Sequence, residues 1–180
     1  MPEVIAEHGR PESKRFADRP AGQLVSLKGT VQVRIMTKRK VFISFDYTND
    51  HRYKDLLVAW SKNTNIDFSF DDRTPGEIQS DDISRIKAVL TQKIKEADYT
   101  LVLVGKDCCR EHPDSKEIGY TNWQVYEIEK SKESGNKIIA VKINLRYEMP
   151  KELRHAYVSL AKTFSRSAIK QAIDTAAKSR

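Results

Sequence analysis

Hydrophobic and polar positions along the chain fall into two alternating patterns from residue 41 onward. Val41-Phe-Ile-Ser-Phe45 is a short, mostly apolar run, as expected of a strand covered on both faces of a parallel sheet. Tyr53, Leu56, Leu57 and Trp60 then recur at helical spacing, with Asn49 or Asp50 placed to cap the helix start and an end expected near Asn63. Ile66 to Phe70 alternates and is rich in β-formers, and Asp71-Asp72-Arg-Thr-Pro-Gly76 breaks it with turn residues. A second helix is expected from Ser80 or Asp81 to about Ala97, with Ile83, Ile86, Val89, Leu90, Ile94 and Ala97 on one face.

Tyr99-Thr-Leu-Val-Leu-Val104 is among the most apolar stretches of the chain, which assigns it to the sheet centre. A loop of some 17 residues, Gly105 to Thr121, follows, long enough to form one wall of a site. Asn122 can cap a helix carrying Trp123 to Glu129, and Gly135-Asn136 suits its C-terminus. Lys137 to Ile143 reads as a fourth strand and Tyr157 to Phe164 as an edge strand. Ser165 precedes a last amphipathic helix with Ala168, Ile169, Ala172, Ile173 and Ala176 on one face. Strands alternating with helices at this spacing predict an α/β fold: a flavodoxin-like open parallel sheet, order 2-1-3-4-5, with helices on both faces.

The first 37 residues differ. They are rich in Pro, Gly, Arg and Glu, with a faint alternation from Leu24 to Ile35, and read as a flexible N-terminal extension (residues 1–37) before a single domain at 38–180. Met36, just before Thr-Lys-Arg-Lys, is also a natural place for the domain to start.

Charge sharpens this division. The net charge of +7 invites a nucleic-acid reading, but Lys+Arg against Asp+Glu is 9 to 4 over residues 1–40, 16 to 19 over 41–149 and 7 to 2 over 150–180. The segment with the regular pattern is slightly acidic, opposite to a phosphate-binding footprint. No apolar run approaches the length of a membrane span and no secretory signal is visible, so a cytoplasmic protein is expected. The two cysteines, Cys108 and Cys109, are sequence neighbours that join only through a strained ring, so no disulfide framework is expected.

In open parallel sheets ligands bind beyond the carboxyl ends of the strands, where strand order reverses. That rule selects Ser44, Phe45, Asp46 and Tyr47, then Asp71 and Asp72, then Gly105 to Cys109, with the start of the Trp123 helix overhanging them. Trp123 and Glu127 are four apart and so share a helix face. An aromatic plate beside a carboxylate suits a ribosyl nucleotide; equally, Trp123 can be a core residue and Glu127 a solvated acid paired with Lys130. Asp71-Asp72 lacks a third ligand at fixed spacing, so no metal is expected. Ser-Phe-Asp-Tyr-Thr-Asn-Asp after the first strand contains no glycine, which argues against a Rossmann or Walker phosphate loop. The end of the third strand, Val104-Gly-Lys106, lacks the Asp of a phosphoacceptor receiver, and Cys108 with His112 makes only a poor nucleophile pair.

Phe42-Ile-Ser-Phe-Asp46, an acidic Pro-Gly loop, a central Leu-Val-Leu-Val strand and then Trp123-x-x-x-Glu127 together resemble TIR domains, more closely the TIR-like proteins of bacterial Thoeris antiphage defence, over about residues 39 to 178. The resemblance implies cleavage of NAD between nicotinamide and ribose by a glutamate on the helix after the third strand, which by position is Glu127. Trp123 would then pack beside the site, and Ser44, Phe45, Asp46, Tyr47 and Asp72 would line the substrate pocket. The resemblance further implies NAD as the substrate, with no separate cofactor, and an ADP-ribose species, linear, cyclised or transferred, as the product. The implied partners are further copies of the chain, a phage-derived activator and a downstream effector. The alternative is a non-enzymatic module assembling through the loop Asp71 to Gln79 and nearby helix surfaces.

Overall fold

The computed structural model describes residues 25–27, 30–32, 38–62, 68–71, 78, 80–154 and 156–179. Residues 1–36 and 37–180 form two separate units. In the first, β1 (Val25–Leu27) pairs antiparallel with β2 (Thr30–Gln32), within the faint alternation from Leu24 to Ile35.

The second unit contains a five-stranded sheet, built from β3 (Arg39–Ser44), β4 (Phe68–Asp71), β5 (Tyr99–Val104), β6 (Lys137–Lys142) and β7 (Val158–Ala161). Every pairing is parallel, and the spatial order is β4-β3-β5-β6-β7, the 2-1-3-4-5 order expected. β5 is central and all six of its residues are buried, which is why it reads as an uninterrupted apolar run.

Side-chain alternation divides the core. Val41 and Ile43 of β3, with Phe45 just beyond its end, share one cluster with Leu101 and Leu103 of β5, Leu57 of helix α1 (Tyr47–Ser61) and Ile169, Ala172 and Ile173 of helix α5 (Arg166–Lys178). On the opposite face, Phe42 packs with Leu90 and Ile94 of helix α2 (Ile83–Glu96) and Tyr126 of helix α4 (Trp123–Glu133), and Val102 and Val104 pack with Ile128. Ser44, two residues on from Phe42, therefore belongs to the α4 side.

Two helix starts differ from expectation. Asp46, not Asn49 or Asp50, caps α1: its Oδ1 accepts from the backbone N–H groups of Thr48 and Asn49 at 2.9 and 3.2 Å. Asp82, not Ser80 or Asp81, caps α2, accepting from Ser84 and Arg85. Both caps have extended backbone, the geometry that turns a side-chain oxygen toward the first free amides. The stretch Gly105 to Thr121 is also more ordered than a plain loop. It contains the short helix α3 (Ser115–Ile118), closed by Gly119 at φ 76° and anchored by the buried Ile118 and Cys108.

Candidate active site

Helix α4 begins over the carboxyl ends of β3 and β5, and its start is fixed by Asn122. The Oδ1 of Asn122 accepts from the Val125 N–H at 2.9 Å, while its Nδ2 donates to the Cys108 and Arg110 carbonyls at 3.0 and 2.8 Å. One side chain thus caps the helix and pins the preceding loop to it.

The face of α4 that meets the sheet carries a polar stripe, Gln124, Glu127 and Ser131, all buried. Gln124 Nε2 donates to the carbonyls of Ser44 and Leu103, at 3.2 and 2.7 Å, stapling β3 to β5 where strand order reverses. Ser131 Oγ donates to the Glu127 carbonyl and meets Thr100 Oγ1 of the central strand, each at 2.7 Å. Between Gln124 and Ser131 lies Glu127, 1% exposed, with neither carboxyl oxygen in a well-formed hydrogen bond among the described residues. Ser44 Oγ and Gln124 Oε1 are likewise buried and unpartnered. Buried polar atoms without partners cost on the order of 1–3 kcal/mol each, so their concentration at one end of the sheet marks a place shaped by something other than stability. Desolvation pushes the Glu127 carboxyl up to about 8, against the opposing influence first of the nearby Ser44 hydroxyl and then of the Lys93 ammonium. At neutral pH it holds its proton.

Above this floor opens a cavity of about 380 Å³, lined among others by Phe45, Asp46, Tyr47, Asn49, Asp107, Cys108, Arg110, His112, Trp123 and Gln124. Trp123 stands edge-on to Tyr126 and His112, with ring centroids 5.9 and 6.5 Å apart. Tyr47, half exposed, stands edge-on to His51 at 5.4 Å. The cavity therefore has aromatic walls and carries both acids, Asp46, Asp107 and Glu111, and bases, Arg110 and His112, on its lining.

Of the residues expected here, Phe45, Asp46, Tyr47 and Trp123 do line this cavity. Asp46 is already engaged: besides capping α1, its Oδ2 accepts from Asn49 Nδ2 at 3.1 Å, and the same amide donates to Asp107 Oδ2 at 3.1 Å. Ser44 and Glu127 are one layer down and off the lining, Glu127 one helical turn beyond Trp123. Asp72 lies outside the described residues. Trp123 and Glu127 do not face one open space together, and Glu127 is not paired with Lys130, whose ammonium bridges to Glu133 at 2.7 Å. Gln124 escaped the sequence reading; its signal is the spacing of Gln124, Glu127 and Ser131, a polar stripe on the side of a helix that must cover an apolar sheet.

Asp50, in the first turn of α1, is a second buried acid, 4% exposed and with Oδ2 unpartnered. Burial, then Asp46 and Asp107, raise its pKa to about 6. Its carboxylate lies against Gly105, where β5 ends.

Among the described residues no helix is long and apolar enough to cross a membrane, and no group of three or more His, Cys, Asp or Glu is arranged to hold a metal ion. A family model described as Thoeris protein ThsB, TIR-like domain, matches residues 42–147, more than half of the chain. No curated protein matches. A crystal structure of a prokaryotic SEFIR domain is similar at 20% identity, covering 77% of this chain and 89% of that one, with a TM-score of 0.45.

Proposed function

The chain belongs to the Thoeris ThsB TIR-like domain family, and from that premise we propose that it is an antiphage-defence enzyme that cleaves NAD between nicotinamide and ribose, with Glu127 as the catalytic carboxylate. The observation that carries this reading is the buried Glu127 carboxyl, its oxygens in no well-formed hydrogen bond, on the helix that starts at the strand-order reversal.

Breaking the C–N bond returns its electron pair to the nicotinamide nitrogen, which leaves neutral, and moves the positive charge onto an oxocarbenium-like ribose. A carboxylate in a dry site stabilises that charge far better than one in water, because little solvent screens it. Water, or a nucleophile on the substrate or on a second molecule, then captures the ribose to give a linear, cyclised or transferred ADP-ribose signal for an effector. Phe45, Tyr47 and Trp123 supply apolar walls for the nucleotide, and Arg110, the arginine on the lining, faces its phosphates.

Two requirements follow. Glu127 must ionise, so kcat/KM should rise with pH through about 8, the value to which burial pushes the free carboxyl. A flat profile between pH 6 and 9 would argue against an ionising Glu127. The cavity must also reach Glu127, which lies off its lining, so turnover needs a rearrangement of the wall above it, supplied by self-association or by a phage-derived activator. The test is nicotinamide release by separated monomeric and assembled protein, with and without lysate from infected cells. We expect release from the assembled, activated protein alone.

The same off-lining position favours a second reading, a non-enzymatic TIR-type assembly module. Defined oligomers that release no nicotinamide under any activating condition would select it.

A further inference from the structure

Cys108, 2% exposed, is on the cavity lining beside the Asn122 cap of α4, and its neighbour Cys109 is exposed. Their sulfurs are 3.7 Å apart, and both turn to the Glu148 carbonyl, Cys108 Sγ at 3.1 Å and Cys109 Sγ at 3.8 Å. Both thiols are therefore already on one side of the backbone, the arrangement that closing a ring between them requires. The peptide inside that ring carries the Cys108 carbonyl, and this carbonyl is the one held by Asn122 Nδ2 at 3.0 Å.

We propose that Cys108 and Cys109 are a modification site for low-molecular-weight disulfides, converted to a reversible vicinal disulfide that releases α4 from its cap. The exposed Cys109, as thiolate, attacks one sulfur of the small disulfide, expelling one thiolate and forming a mixed disulfide. Cys108 then gives up its proton and attacks Cys109 Sγ, expelling the second thiolate. Two S–H bonds and the small disulfide's S–S bond are exchanged for one protein S–S bond and two small thiols, so the protein is oxidised by two electrons and the reagent reduced by two. Burial and the neighbouring Cys109 push the Cys108 thiol up, which makes the second step the slow one.

Adjacent Cα atoms across a trans peptide are about 3.8 Å apart, short of the range that disulfides favour, so closing the ring twists the intervening peptide. That twist turns the Cys108 carbonyl away from Asn122, leaving the amide only the Arg110 carbonyl and loosening its hold on the Val125 N–H. A strained, accessible bond is also easily reduced, which suits a switch rather than a staple.

The proposal does not depend on NAD cleavage, and its test reads thiols and amides. The full chain is treated with glutathione disulfide, then analysed by intact mass and by thiol titration after denaturation. We expect both thiols lost together with the mass lower by two hydrogens, full reversal by a thiol reductant, and faster hydrogen exchange in the first turn of α4. In Cys108→Ser, whose ring cannot close, a stable mixed disulfide at Cys109 is expected instead. Survival of both thiols, a wild-type product that stops at one glutathione on Cys109, or a disulfide joining two chains would overturn the modification site. Unchanged exchange at α4 in the ring-closed protein would overturn its coupling to the cap.

Discussion

Glu127→Gln is expected to make the domain more stable while removing turnover. The wild-type carboxyl is raised on folding from its ordinary value of 4.5 to about 8. A carboxyl shifted in this direction stabilises the folded state fully below its unfolded pKa, and that contribution is lost as pH rises through the folded value. Wild-type stability should therefore fall between about pH 4.5 and 8, and the glutamine variant, with nothing to ionise, should not follow it. The difference is on the order of 1–4 kcal/mol at pH 8, or several degrees in Tm for a domain of this size. Parallel thermal melts of the two proteins from pH 5 to 9 measure it; curves that stay parallel would mean that Glu127 is solvated or paired. Stabilisation on removing a buried acid is the usual signature of a site kept for function.

Gly105→Ala should destabilise the same end of the sheet by about 1–3 kcal/mol. A Cβ at Gly105 would collide with Asp50 Oδ2 and lie 2.6 Å from its Cγ, and Asp50 is buried at 4% exposure with little room to swing aside. The cause is a single close approach, so Asp50→Ala in the Gly105→Ala background should recover most of the loss. A double-mutant cycle by urea unfolding reads the coupling directly, and additive effects would place the conflict elsewhere. Asp50 adds its own pH dependence. Its pKa, raised from 3.8 to about 6, takes stability away as pH climbs through that interval, which overlaps the lower part of the Glu127 window.

The sheet was legible because parallel strands are covered on both faces: Val41 to Phe45, Tyr99 to Val104 and Lys137 to Ile143 stand out as apolar runs wherever the neighbouring helices lie. Helix starts were less so. Asp46, Asn49 and Asp50 are all competent caps, and only the extended backbone at Asp46 decides which side chain reaches the free amides. Glu127 was legible as a residue of interest but not as a buried one, since a glutamate on a helix is ordinarily solvated. Burial arises because α4 covers the central strands with its polar stripe turned inward, bonded at Gln124 Nε2 and Ser131 Oγ and left open at Glu127. The same stripe weakens the helical hydrophobic pattern of α4, so the segment with the buried acid is among the least amphipathic of the long helices.

Nicotinamide release from NAD by assembled, activated wild-type protein and by Glu127→Gln under identical conditions tests the account most directly. A loss of at least about a hundredfold in the variant, with its fold and assembly intact, is the predicted result. Undiminished release by Glu127→Gln would contradict it.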